Sequence, residues 1–196
     1  GLPLITLDYK YDDNHLSVLS NNTKGMDDLT NYVISKGHTK IAMIYGEDTL
    51  VTKERKTIFN KILKEHNITL PDEYYVQGQY YNSELSRKAT EQLLSLPNPP
   101  TCIFFPDDFS ALGGIKAIHS RGLTPGKDIS IVGYDGILLT SMLVPPLTTY
   151  EQDGNTIGRT MATLLIEQIE KKQISQNRTI LINGKLIPGG TVNRLI

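Results

Sequence analysis

Cysteine occurs once in these 196 residues, at Cys102. A lone thiol excludes an intramolecular disulfide and a cysteine metal cluster, and is compatible with a reducing compartment. Within Cys102-Ile103-Phe104-Phe105 it reads as a small core residue. An excess of either charge is lacking as well. Twenty basic side chains face 21 acidic ones, a net charge of -1, and nucleic-acid binding calls for a basic field that this balance does not supply. No apolar run approaches the roughly 18 residues of a membrane span, and the amino terminus carries no basic segment leading into an apolar one. A cytoplasmic protein without membrane association is the expectation. Because Gly1 runs directly into a strand pattern, the chain also reads as a processed or cut piece of a longer one.

Signatures of common enzyme classes are missing too. There is no G-x-G-x-x-G or Walker A sequence, and Gly126-Lys127-Asp128 lacks the rest of a phosphate loop. No G-x-S-x-G elbow occurs. The four histidines, His15, His38, His66 and His119, show no metal-ligand spacing. Asp107 and Asp108 could share a proton as an acid/base couple, but one of them is needed to cap the helix that follows and no nucleophile accompanies them. No catalysis, cofactor or metal is expected.

What is present is the composition of a globular protein, 39% hydrophobic and 21% charged, long enough for one large domain or two small lobes. Apolar residues 2–7 read as a strand ending at Asp8, and residues 16–19 as a strand or a crossover. Met26, Leu29, Val33 and Ile34 recur at helical spacing up to Gly37, and His38 reads as a turn residue bonded to backbone. Residues 40–45 form the next strand. Residues 47–53 then loop into a helix bearing Ile58, Phe59, Ile62 and Leu63, with Asn67 at its end.

In this reading Arg55 lies near the helix's first turn, where the dipole disfavours a cation; gripping a ligand and facing solvent both remain open for it. A short strand at 74–76, a helix at 85–96 and a strong strand at 101–105 follow, then Pro106-Asp107-Asp108 and a helix ending at Gly122. Residues 129–132 form a buried strand that stops at Gly133-Tyr134-Asp135-Gly136. Residues 155–173 give the clearest helix. Residues 180–182 and 185–187, joined by Asn183-Gly184, look like a final hairpin.

Alternating strands and helices argue a mostly parallel sheet with right-handed crossovers. In such sheets ligands bind beyond the carboxyl ends of the strands. Three strands end in an aspartate, Asp8, Asp107 and Asp135, and a fourth leads towards Arg55. Acceptor carboxylates and one bidentate donor meeting in a crevice suit a hydroxyl-rich or otherwise polar small molecule.

Four blocks of this sequence resemble the effector-binding domain of the LacI/GalR (lactose-repressor) family of bacterial transcription factors. Residues 128–135, Asp-Ile-Ser-Ile-Val-Gly-Tyr-Asp, are similar to its D-I-S-V-V-G-[FY]-D, and residues 145–149 match its P-P-L-T-T. Gly37-His38-Thr39-Lys40-Ile41-Ala42 resembles G-H-x-x-I-A, and Asp107-Asp108 with Ala111-Leu112-Gly113 resembles N-D-x-x-A-x-G. The spacing fits over essentially the whole chain.

The resemblance implies an α/β fold of two Rossmann-like lobes with mostly parallel sheets, the type I periplasmic-binding-protein-like fold, crossed three times by the chain. Residues 1–20 and 151–180 would form a partial first lobe, and residues 21–150 and 181–196 the second. A helix-turn-helix precedes this domain in family members and is not within these residues. The implied function is control of DNA binding by a sugar or sugar-like effector clamped between the lobes of a homodimer. Operator DNA would be reached only through that other domain. The alternative is a periplasmic or extracellular sugar-binding protein of a transporter.

By position, the family's effector contacts fall on Asp8, Arg55, Asp107 and Asp135. Asp107 replaces the usual Asn, Gly136 a common second Asp, and Gly154 an aromatic that packs on sugar in some members. Pro188-Gly189-Gly190-Thr191 replaces R-G-S-T.

Overall fold

The computed structural model of the chain describes residues 3–12, 15–170 and 179–195. Leu2 in the first expected strand and residues 171–173 of the expected long helix lie outside them. Strands β1 (Ile5–Leu7) and β2 (Leu16–Ser20) open the chain, so residues 16–19 are a strand. There follow α1 (Asn22–Ser35), β3 (Ile41–Tyr45), α2 (Leu50–Glu65), β4 (Tyr75–Gln77), α3 (Ser83–Leu94), β5 (Cys102–Phe104) and α4 (Asp108–Ser120). The chain continues through β6 (Ser130–Val132), a short α5 (Leu138–Ser141), β7 (Thr149–Glu151), α6 (Gly154–Ile169), β8 (Thr179–Ile182) and β9 (Lys185–Ile187).

The larger sheet is parallel, in the order β4-β3-β5-β6. Strands β3, β5 and β6 are buried on both faces, and the period of two divides their side chains between two helix layers. Ile41, Met43, Cys102 and Phe104 pack with Met26, Leu29 and Val33 of α1 and with Phe59 and Leu63 of α2. Ala42, Ile44, Ile103 and Phe105 pack with Ala89 and Leu93 of α3 and with Ala111 and Ile118 of α4. Cys102 is fully buried in the first cluster, and burial pushes its thiol pKa up.

A second parallel sheet, β1-β2-β8, lies at the other end of the chain's path. Helix α6 packs against β1 and β2, with Ile157 its buried anchor. Leu7, Ile166, Ile169 and Leu181 stay exposed on these elements. No helix among the described residues is long and apolar enough to cross a membrane.

Two expectations are corrected here. Residues 179–187 are not a hairpin: β8 pairs in parallel with β2, whereas β9 pairs antiparallel with β7. Asn183-Gly184 carries the chain from one sheet to another, and Gly184 is needed for close approach, since a Cβ there would sit 2.0 Å from Glu151 O. The smaller sheet therefore holds β8 through Ile182. Arg55 lies near the first turn but past it, so the expected misfit with the helix dipole does not apply. Helix α2 starts at Leu50, its N-cap Thr49 accepting from Thr52 N–H, which puts Arg55 in the second turn, beyond the unpaired N–H groups.

His38 is buried, with Nδ1 2.9 Å from Thr101 Oγ1 and Nε2 3.1 Å from both Asn193 O and Ser130 Oγ. Burial lowers its pKa. It ties the start of β3 to the last residues of the chain.

Candidate functional site

The carboxyl ends of both parallel sheets border one cleft of about 540 Å³. Its walls are Asp8 and Tyr9 after β1, Thr49 and Val51 at the start of α2 with Arg55 one turn on, Tyr80 and Tyr81 before α3, Asp135 after β6, and Gln152 after β7. Three of the four residues singled out by sequence, Asp8, Arg55 and Asp135, are thus brought together. Asp107 is not on this wall. A wider depression of about 760 Å³ lies outside α2 between Lys56 and Tyr75, but no buried polar groups converge on it, and it reads as surface relief.

Arg55 is 8% exposed. Its Nε donates to Asn22 Oδ1 and its Nη1 to Pro106 O, each at 2.9 Å, and the guanidinium lies 3.5 Å from the centroid of the Tyr134 ring. Stacking and two directed hydrogen bonds fix the side chain, leaving further N–H groups for the cleft. Tyr134 reaches this position because residue 25 is glycine: a Cβ there would lie 2.1 Å from the Tyr134 hydroxyl.

Asp135 adopts φ +111°, outside the regions most residues use. Glu151 holds it in a parallel bridge, its N–H donates to Tyr150 O at 2.9 Å, and its O accepts from Gln152 N–H at 3.1 Å. Gln152 Nε2 donates to Oδ1 at 2.5 Å, and the Tyr81 hydroxyl lies 3.5 Å from Oδ2. Burial is the main cause that pushes its carboxyl up to about 6, opposed by the Arg55 charge and the Gln152 hydrogen bond. Near neutral pH it is an acceptor with a proton close at hand.

Asp8, at φ +49°, turns back on the end of β2 and accepts Ser20 N–H at 2.7 Å. Asp107 caps α4, as one of the pair was expected to. Its Oδ1 accepts from Ser110 N–H, and its Oδ2 from Ser110 Oγ and from Tyr81 N–H at 2.8 Å. It is 1% exposed, and it meets the cleft through Tyr81, whose backbone it holds at φ +55°.

Asp108, the other member of the pair, is fully buried. It accepts from Thr149 Oγ1 at 2.6 Å and from Ile137 N–H at 2.9 Å, lacing α4 to β7 and to the loop that follows Asp135. Burial pushes its carboxyl up to about 7.

The arrangement can bind and orient a polar molecule. The buried guanidinium supplies donors, the carboxylates accept, and tyrosine rings border the opening. Reasoning from sequence missed Gln152, Tyr80 and Tyr81. They stand just past strands β7 and β4, so their place relative to strand ends was a usable signal, although their residue types were not.

Residues 30–192 match the family described as periplasmic binding protein-like domain. A transcriptional regulator LacI from Bacillus cereus subsp. cytotoxis is similar in structure, with a TM-score of 0.90 and 31% identity over 99% of this chain and 69% of that one. The chain belongs to the LacI family.

Among its LacI-type relatives are the repressor ExuR of Bacillus subtilis, 34% identical over all of this chain and 59% of its own length, and the ribose operon repressor of Escherichia coli, 33% identical over 90% and 54%. The chain thus spans little more than half the length of these curated relatives. A lac repressor dimer bound to operator and the anti-inducer ONPF superimposes with a TM-score of 0.86 at 26% identity, over 97% of this chain and 57% of that one. These relatives are transcriptional repressors, which disfavours the transporter alternative.

Of the departures from the LacI pattern, the one at Gly136 has a steric cause. At residue 136, φ is +72° and a Cβ would lie 2.5 Å from Glu151 Cα, so glycine replaces the common aspartate where the loop has closed onto β7. At Gly154 nothing approaches within 4 Å of an added Cβ, so the space an aromatic would use is open. Residues 189–191 are sewn to the Pro-Pro-Leu-Thr-Thr block by Gly190 N–H to Pro146 O at 2.7 Å and Thr148 N–H to Thr191 Oγ1 at 2.9 Å. Backbone and threonine make these contacts, with no arginine in that stretch.

Proposed function

We propose that this chain is the effector-binding part of a LacI-type transcriptional regulator and that its ligand, a sugar or sugar-like molecule, lies in the cleft of Asp8, Arg55 and Asp135. The observation that carries this reading is the convergence of a buried, stacked guanidinium and two strand-end carboxylates on one opening. Arg55 donates to ligand oxygens, Asp135 and Asp8 accept from ligand hydroxyls, and Asp107 acts through Tyr81. Directed donors and acceptors of this kind discriminate among polyols, because a ligand lacking one hydroxyl leaves a partner unpaired.

In this reading residues up to 20 and from 151 to 182 form one lobe and the rest the other, the last crossing falling at Asn183-Gly184. The ligand favours one lobe angle, and only its differential affinity for the two states shifts the balance. The regulator works as a cytoplasmic homodimer, touches operator DNA through a helix-turn-helix outside these residues, and performs no catalysis. Calorimetry of the full-length protein against sugars, sugar phosphates and nucleobases tests the reading. Saturable binding of one compound per chain is expected, and silence across the panel refutes it.

A further inference from the structure

Gln152 touches the ends of both parallel sheets. Its Nε2 donates to Asp135 Oδ1 at 2.5 Å, beyond β6 of the larger sheet, and its Oε1 accepts from Ser20 Oγ, the last residue of β2 in the smaller one. Ser20 N–H is in turn held by Asp8 Oδ1 at 2.7 Å. A continuous series, Asp8, Ser20, Gln152 and Asp135, therefore runs from one sheet to the other along the cleft wall.

The segments that pass between the sheets lie beside it. Asn21 N–H donates to Ile182 O at 2.9 Å, and Asn21 Nδ2 to Asn183 Oδ1 at 2.8 Å.

Resting on the ligand-controlled reading above, we propose that Gln152 is the positioning residue that sets the angle between the two sheets, by sharing one amide between Ser20 and Asp135. The amide's polarity is fixed by its partners, since the Asp135 carboxylate requires the donor end and the Ser20 hydroxyl donates to the acceptor end. A ligand hydroxyl arriving at Asp135 Oδ1 shares the oxygen with Nε2, and any adjustment of the amide is passed to Ser20 and so to the smaller sheet. The charged and titratable groups that face this line include Tyr9, Lys10, Arg55, Tyr80 and Tyr81 on the cleft wall, Asp107 and Asp108 from the start of α4, and Glu151 bridged to Asp135.

The test uses the full-length protein without ligand. Spin labels at Lys88→Cys on α3 and Thr163→Cys on α6, both exposed positions, report the distance between the sheets. Cys102 is buried and does not compete for label. Gln152→Met keeps the side chain's size while removing both hydrogen bonds, and Ser20→Ala removes the other end of the bridge while keeping Gln152.

A broadened and displaced distance distribution is expected in both variants. The Asp135 carboxyl titration, followed by carbon NMR, should also move up from about 6 by about one unit in Gln152→Met, the tenfold change in proton affinity that one lost charge-assisted bond gives. Distributions that superimpose on the parent's in both variants, or an unmoved Asp135 midpoint, overturn the proposal. Neither readout involves a ligand, so a silent compound panel would remove the functional reading alone. Binding with unmoved distances would remove this inference alone.

Discussion

Replacing Asp108 by asparagine should make the protein more stable at neutral and higher pH, with a gain that grows through a defined window. Asp108 is fully buried between Thr149 Oγ1 and Ile137 N–H, and burial raises its carboxyl from 3.8 to about 7. For a carboxyl raised on folding, the contribution to stability is complete below about 3.8, the unfolded value, and is lost as pH climbs to the folded value near 7. The unfolded chain releases the proton freely, whereas the folded chain keeps it or buries a charge.

Each pH unit well inside the window costs about 1.4 kcal/mol, so the advantage of Asp108→Asn over the parent should widen by about 2 kcal/mol between pH 5 and pH 7 and level off above about pH 8. An asparagine can still accept from Ile137 N–H, and its NH2 can donate to Thr149 Oγ1, which turns from donor to acceptor. Urea unfolding of both proteins at half-unit steps from pH 5 to 8 reads the effect as a diverging midpoint at constant slope. Groups titrating in both proteins, Asp135 and His38 among them, cancel to first order in the difference. Parallel midpoint curves across the range would show that Asp108 carries no raised pKa in the fold and would refute the reasoning.

Gly25→Ala should lose about 1–3 kcal/mol of stability, although alanine in a helix gains about 1 kcal/mol over glycine, because its Cβ would meet the Tyr134 hydroxyl at 2.1 Å; urea midpoints check this. Gly136→Asp, which restores the family's common residue, should cost about 1–3 kcal/mol, since φ is +72° and Glu151 leaves no room for a Cβ. A neutral midpoint shift in that variant would show that the loop can open. Arg55→Met should weaken the protein by about 2–4 kcal/mol, seen as a lowered thermal midpoint, because Asn22 Oδ1 and Pro106 O both lose a buried donor.

Much of the fold was legible because its signals are local. The apolar runs 40–45 and 101–105, and the need for an aspartate cap at 107–108, depend on neighbours within a few residues. Non-local pairing was what the pattern hid. Asn183-Gly184 has the residue types of a tight hairpin, yet the preceding strand finds a parallel partner in β2 and the following one an antiparallel partner in β7. Periodicity does not say which distant strand an edge will meet.

The site divides in the same way. Asp8, Asp135 and Arg55 could be named from strand ends and family blocks. The roles of Asp107 and Asp108 could not be told apart by residue type. Only the packing of Tyr81 over one and Thr149 over the other separates a cap behind the cleft from a buried acid that laces three segments. Gln152 escaped because an amide after a strand is unremarkable until both of its partners are in place.

The most direct test is to titrate the parent protein, Arg55→Met and Asp135→Asn side by side with the compound that binds best among sugars, sugar phosphates and nucleobases. One site per chain in the parent, and a dissociation constant at least about tenfold weaker in each variant, is the result expected from the loss of one charge-assisted contact. Unchanged affinity in both variants, with the fold intact, would place the ligand elsewhere and contradict the site assigned to Asp8, Arg55 and Asp135.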